Sequence, residues 1–285
     1  MIIVYHSRDL DGYTSGAILK KKFPEAQLIG YDYGQPLPAL LPGEDIILVD
    51  VSFSIDDMFR IAAESKLFTW IDHHISAMTE FYKRKTEAPP QLAVVLYDGL
   101  AACELAWNWA FPDKEMPYTV QLLGMYDTWR NKDPHLWNEQ ILPFQYGMRT
   151  MCHSPESFPT SLFSVNDAFE IEDLIQLGKT ILSYQDEQNT IAAKGAFEFS
   201  WKGYRVIALN GGGFNSNAFK SVYDPEKHDL MMPFKYNGKF WTFSLYTEKD
   251  IDCSELAKSM GGGGHKKAAG FQIESVISLD FPFNL

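Results

Sequence analysis

Short apolar runs alternate with helix-like segments over the first hundred residues. Residues 2–5 (IIVY) form a β-rich run that ends on His6. Helical sequence follows from Thr14 to Phe23, with Thr14 or Ser15 as its cap, and Pro24 stops it. A second β-like run covers 27–33, and a third, Ile46 to Val49, ends on Asp50. Ile55 to Glu64 predicts a helix with Met58, Ile61 and Ala62 on one face. A fourth apolar run, Leu67 to Ile71, ends on Asp72-His73-His74. This alternation predicts an α/β fold with a mostly parallel sheet flanked by helices. Residues 75–91 are polar, contain Pro89-Pro90 and read as a loop. Leu100 to Phe163 reads as helical, with loops at Pro112, Pro134 and Pro155.

Residues 167–194 predict one long proline-free helix, suited to link two domains. After Gly195 the texture changes to β-rich runs at 196–201, 203–209 and 239–247, punctuated by glycines at 211–213 and 261–264. The expected organisation is a first domain over 1–166, a linker helix over 167–194 and a smaller α+β domain over 195–285.

In open α/β sheets ligands bind beyond the carboxyl ends of the strands. The polar residues that end these strands are therefore expected to meet. In HSRDLDG, His6 to Gly12, an imidazole and the carboxylates of Asp9 and Asp11 follow a strand directly, and Gly12 allows a tight turn. Taken alone, such a DxDG is a turn or a helix cap, and Asp50 alone is a cap for the helix near Ile55. Adjacent histidines after a buried strand fit a metal ligand, with a neighbouring carboxylate fixing the tautomer. Asp127 follows an apolar helical stretch, where the helix dipole disfavours a carboxylate. A cation is then its expected partner, and Arg130 competes for that role. Four consecutive glycines beside His265, Lys266 and Lys267 suggest backbone amides converging on an anion; a flexible linker is the alternative. Four carboxylates and two histidines suit two adjacent divalent ions. The imidazoles favour Mn2+, with Mg2+ or Co2+ as alternatives.

Composition narrows the picture. At 46% hydrophobic residues the chain can bury a sizeable core. A net charge of −12 argues against gripping long duplex nucleic acid. Three widely spaced cysteines without a CxxC argue against a disulfide framework or zinc knuckle. No signal-peptide pattern or membrane-length apolar run is present, so a soluble cytoplasmic protein with no membrane association is expected.

Five motifs occur in one order: HSRDLDG, LVDVS (Leu48 to Ser52), DHH (Asp72 to His74), YDTW (Tyr126 to Trp129) and GGGGHKKAAG (Gly261 to Gly270). Together they resemble the DHH phosphoesterase family with its DHH-associated C-terminal domain, which includes RecJ-type exonucleases and nanoRNases. The resemblance covers nearly the whole chain. It implies that His6 and Asp9 bind one ion, that Asp11, His73 and Asp127 bind the other, and that Asp50 bridges both. It implies a supporting role for Asp72, a phosphate-facing role for His74, and substrate anchoring by Gly263, Gly264 and His265. Many members carry an arginine in the strand before the glycine loop, in a pattern like LRS. Here that stretch reads Leu245-Tyr246-Thr247, and Tyr246 offers base stacking in place of a charged contact. The implied activity is two-metal hydrolysis of phosphodiester or phosphomonoester bonds in short oligonucleotides or small nucleotides. A single-strand exonuclease, a phosphoadenosine phosphate phosphatase and a polyphosphatase are the enzymatic rivals, and a catalytically silent nucleotide-binding regulator is the non-enzymatic one. A homodimer is left open.

Overall fold

Strand β1 (Ile2–His6) is buried along its whole length, and its side chains part by parity. Ile3 and Tyr5 enter one apolar cluster, and Ile2 and Val4 enter another. Strand β3 (Asp45–Val49) repeats the pattern, with Ile47 and Val49 on one side and Ile46 and Leu48 on the other. In β4 (Leu67–Asp72), Ile71 joins the first cluster and Phe68 and Trp70 join the second. A strand whose two faces are both apolar belongs in the middle of a layered fold, and here helices cover both sides.

The computed structural model describes residues 1–164 and 168–275; the end of the predicted second domain, 276–285, lies outside them. The chain divides into two units, Met1–Leu182 and Ser183–Leu285. In the first, β2 (Gln27–Tyr31) and β5 (Leu92–Leu96) complete a five-stranded parallel sheet of order β2-β1-β3-β4-β5. Helices α1 (Leu10–Lys22), α4 (Ala102–Ala110) and α5 (Tyr118–Asp127) supply the first apolar cluster. Helices α2 (Ile55–Glu64) and α3 (Ile75–Lys83) supply the second. Chain direction across the sheet reverses between β1 and β3, which opens a crevice at their carboxyl ends.

Several expectations need correction. Helix α1 begins at Leu10, because Asp9 caps it by accepting from Gly12 N at 3.1 Å; Thr14 and Ser15 are buried inside it. Residues 75–83 are the helix α3, which packs Ala77 and buried Phe81 into the second apolar cluster while leaving Ile75 and Tyr82 exposed, and β5 follows. Pro134 and Pro155 open helical turns, the first being the short helix α6 (Pro134–Leu136). At such a position the missing N–H has no intrahelical partner to lose. A turn of π-helix, Trp137–Ile141, then leads into α7 (Leu142–Met148).

Helix α8 (Ala168–Ala193) is a single element that runs across the division between the units. The second unit contains β6 (Phe197–Trp201), β7 (Tyr204–Asn210), β8 (Leu230–Tyr236), β9 (Trp241–Tyr246), α9 (Cys253–Lys258), β10 (Gly263–Gly264) and β11 (Ala268–Ile273). Its mixed sheet has the order β10-β11-β9-β8-β7-β6. Strand β8 lies inside that sheet although Pro233 sits within it, a residue normally confined to edges because it cannot donate to the ladder. Among the described residues no helix is long and apolar enough to cross a membrane.

The α1–β1 junction explains Gly12. Its φ is not in the left-handed region, but a Cβ there would lie 1.9 Å from the His6 carbonyl oxygen. An interior helical glycine usually gains about 1 kcal/mol on replacement by alanine. Here the sign is expected to reverse, with Gly12→Ala losing about 2–4 kcal/mol of urea stability through overpacking and backbone displacement. A neutral or stabilising Gly12→Ala would refute the close-contact explanation.

Candidate metal centre

The carboxyl ends of four strands converge at the crevice. His6 ends β1, Asp32 follows β2, Asp50 follows β3, and Asp72 and His73 stand at the end of β4. Asp9 and Asp11 arrive on the first turn of α1, and Asp127 on the last residue of α5. His6 Nδ1 lies 3.1 Å from Asp9 Oδ2 and 3.4 Å from Asp50 Oδ2. His73 Nε2 lies 3.4 Å from Asp50 Oδ1, 3.4 Å from Asp127 Oδ2 and 3.6 Å from Asp11 Oδ2. All six predicted ligand residues are thus brought together in two groups, with Asp50 facing both. His6, Asp9 and Asp50 could hold one cation, and Asp11, His73 and Asp127 another.

The fit to cations shows in what these atoms lack. His6 Nδ1 and Asp50 Oδ2 are buried and, though 3.4 Å apart, neither makes a hydrogen bond of ordinary geometry. Leaving a buried polar atom unpaired costs about 1–3 kcal/mol, and more for a charged group. Asp50 is also only 1% exposed and holds φ at +60°, in the left-handed region. Such a conformation costs on the order of 1–2 kcal/mol for a non-glycine residue. Mixed imidazole and carboxylate donors around these unpaired atoms suit a divalent transition ion.

The neighbouring groups hold the donors in place. Both oxygens of Asp11 accept from the first amides of α4, Ala102 N at 2.9 Å and Cys103 N at 2.7 Å. Asp72 is fully buried and saturated. Its Oδ1 accepts from His73 N at 2.7 Å and His74 N at 3.2 Å and pairs with His74 Nδ1 at 2.7 Å, while Oδ2 accepts from Trp70 Nε1 at 3.1 Å. Asp72 therefore orients the DHH turn, although it also lies within reach of a third donor set with Asp50, His73 and His74. An ionised carboxylate only accepts, so His74 Nδ1 is the donor and its Nε2 is left for another partner.

Asp32 escaped the sequence reading. Its Oδ1 lies 3.5 Å from His6 Nε2, placing a carboxylate on the far side of the ring from Asp50. This is the arrangement that fixes a ligating imidazole's tautomer. The signal was available, since Asp32 follows a strand just as Asp50 does. Arg130, the expected competitor for Asp127, instead pairs with buried Glu104 and Thr128.

Charge crowding shifts the titrating groups. Burial, reinforced by Asp9 and Asp127, raises the Asp50 carboxyl to about 7. Burial also raises Asp11 and Asp127, and each is pushed further by a neighbouring carboxylate. Burial opposes a charge on His6, but Asp50 and Asp9 outweigh it and raise the imidazole to about 10. For His74, Asp72 similarly overcomes burial and raises it to about 9.

Helix α5 ends in an arrangement that demands a left-handed residue. Arg130 N donates to Met125 O at 2.9 Å and Trp129 N to Tyr126 O at 3.1 Å, with Trp129 at φ +53°. Glycine usually fills this place, and a bulky residue there costs about 1–2 kcal/mol. Helix α9 closes identically: Gly262 N donates to Ala257 O at 2.9 Å and Gly261 N to Lys258 O at 3.0 Å, but the left-handed residue is Gly261, at φ +79°. Trp129 is 65% exposed and meets Trp137 with ring centroids 4.8 Å apart at 62°. Such a pair contributes about 0.5–1.5 kcal/mol, which at best offsets the backbone cost.

No family model matches the chain. An uncharacterized protein of Acanthamoeba polyphaga mimivirus is 24% identical over 249 residues, covering 82% of this chain; the chain spans about half, 54%, of that relative's length. The DHH domain of a protein assigned to a family of ribosomal proteins superposes with a TM-score of 0.59 at 15% identity, over 97% of this chain and 83% of that one. An exopolyphosphatase-related protein from Bacteroides fragilis gives a TM-score of 0.52 at 14% identity, over 96% and 86% of the two chains. The chain has the DHH-domain fold.

The DHH turn that gives this fold its name is here the Asp72–His74 segment at the sheet's carboxyl edge. In the second unit, the glycine run is divided between two tasks. The amides of Gly261 and Gly262 close helix α9, while Gly263 and Gly264 form β10, paired with Gly270 and Ala269 of β11. Exposed His265 begins the turn, with its amide donating to Ala268 O at 2.7 Å. Tyr246 pairs in register with Ala268 and is half-buried.

The raised groups set the pH behaviour of the metal-free DHH fold. Asp50 and its neighbours keep protons that the unfolded chain releases near its ordinary value of 3.8, so their contribution to stability falls from about pH 4 to about pH 7. His6 and His74 stabilise fully below their unfolded value of 6.5 and lose that contribution as pH rises toward about 10 and about 9. Both act in the same direction. The urea midpoint of chelator-treated protein is expected to decline from about pH 5 to about pH 9, and added Mn2+ to flatten the decline. A metal-free midpoint that rises over that range would contradict this charge assignment.

Proposed function

We propose that this chain is a metal-dependent phosphoesterase of the DHH family, acting in the cytoplasm on phosphodiester or phosphomonoester bonds of short oligonucleotides or small nucleotides. One observation carries the reading: the buried Asp50 carboxylate reaches toward both donor groups, Oδ2 lying 3.4 Å from His6 Nδ1 and Oδ1 3.4 Å from His73 Nε2, with neither Oδ2 nor His6 Nδ1 in a hydrogen bond. His6 and Asp9 would hold one divalent cation and Asp11, His73 and Asp127 the other, with Asp50 shared; Mn2+ is the ion this donor set favours, ahead of Mg2+ or Co2+. Bound there, such ions supply Lewis acidity toward phosphoryl oxygens and lower the pKa of water.

The chain's own residues then do the rest. Asp72 holds the imidazole of His74 from behind, and Asp32 lies 3.5 Å behind that of His6. With Nδ1 held by Asp72, His74 has Nε2 left to meet a phosphoryl oxygen or the leaving oxygen, and donates a proton there when the ring is charged. Asp11, held by the α4 amides, keeps its donor oxygens from swinging away. In the second unit we assign substrate anchoring to Gly263, Gly264 and His265, with Tyr246 beside them. The acidic balance and the absence of an arginine at position 246 favour a small substrate bearing bases.

Purified protein with Mn2+ is expected to hydrolyse some of a panel of bis-p-nitrophenyl phosphate, RNA and DNA from dinucleotides to 20-mers, phosphoadenosine phosphate and polyphosphate. Asp50→Asn is expected to lower kcat by ~10³-fold or more, and His74→Ala by ~10²–10⁴-fold. No turnover of any panel member by wild type, or full activity in Asp50→Asn, would sink the proposal.

A further inference from the structure

We infer that Trp129 is a stacking platform for a nucleobase, so that phosphate esters bearing a base, and not bare phosphate chains, are the substrates of the metal centre. The inference rests on the phosphoesterase reading and deepens it.

Trp129 occupies the left-handed place at the end of α5, two residues beyond Asp127. The same chain puts glycine in the equivalent place after α9. Stability does not select an indole there. The ring is 65% exposed, and its tilted contact with Trp137 covers at most one of its faces. A backbone outlier with an uncompensated, exposed aromatic is the kind of feature that function retains.

The ring is also pre-ordered. Trp137 behind it is buried and stacks on Tyr126 with planes 7° apart, and the Arg149 guanidinium lies 5.6 Å from the centre of the Tyr126 ring. An aromatic held by such a column gains contact area with a flat ligand at little entropic cost. Every nucleobase has a π-face, so stacking tolerates sequence while demanding a base. A phosphate chain offers an exposed indole an acceptor for its Nε1–H but no face to stack on. Asp127 ties the platform to the centre, because the helix end that delivers its carboxylate also delivers the ring.

The test compares adenosine 5′-monophosphate with ribose 5-phosphate, which share the ribose phosphate and differ in whether C1′ carries a base or a hydroxyl. Both are titrated by calorimetry into Mn2+-loaded wild type, Trp129→Gly and Trp129→Phe, and hydrolysis of a diadenosine dinucleotide is measured in parallel. Wild type is expected to prefer the nucleotide by ~10-fold or more, in the range for one stacked base. Trp129→Gly is expected to bring the two affinities together and to melt a few degrees higher, about 2–4 °C. Trp129→Phe is expected to keep most of the preference. Equal affinities in wild type, or an unchanged preference in Trp129→Gly, would overturn the inference even if the dinucleotide is cut. A preference that vanishes in Trp129→Gly, together with no hydrolysis of the dinucleotide or of any other ester in the panel above, would uphold the platform and remove the phosphoesterase reading.

Discussion

Asp50 is buried in a left-handed backbone conformation at the reversal point of a parallel sheet, one oxygen facing His73 and the other 3.4 Å from His6 without a hydrogen bond. Each of these features is unfavourable for an isolated fold. A buried carboxylate whose imidazole neighbours stand 3.4 Å away is only partly compensated, Asp9 and Asp127 add repulsion, and the backbone is strained. The rest of the first unit is arranged around holding that side chain where it is. Apolar β1, β3 and β4 with helices on both faces provide the rigidity, and the order β2-β1-β3-β4-β5 provides the crevice.

The surrounding polar groups form a graded set. Asp72 is saturated by protein donors, and Asp11 is partly satisfied by the α4 amides. Asp50 and His6 have unmet demand. Asp127 lies at the rim, with its side chain 29% exposed. Satisfied groups fix geometry, and unsatisfied ones define where cations fit. The gradation separates residues that a list of acidic and histidine positions treats alike, and it assigns Asp32 to a place beside Asp72 as a carboxylate that orients a ring.

The sequence was most legible where strands are buried on both faces. There the apolar run is sharp, its end is obvious, and the polar residue that follows, Asp50 or Asp72, stands out. Strand β2 is half-exposed, so its apolar run blurs into Tyr31-Asp32-Tyr33 and hides Asp32. Helix α3 exposes Ile75 and Tyr82 while burying Phe81, and β8 carries Pro233, so neither shows a clean period. The glycine run was legible as a special segment, but half of it closes a six-residue helix that has almost no sequence signal. Trp129 reverses that error. The place it occupies is recognised by glycine, so a tryptophan there conceals the motif until the hydrogen bonds are seen.

What remains to be met is the demand at Asp50. Crystals grown with Mn2+ and measured for anomalous scattering at the manganese edge address it without reference to any substrate. Two peaks about 3.5–4 Å apart are expected on either side of the Asp50 carboxylate, one among His6, Asp9 and Asp50 and one among Asp11, His73 and Asp127. A single peak not touching Asp50, or none in the crevice, would contradict the account.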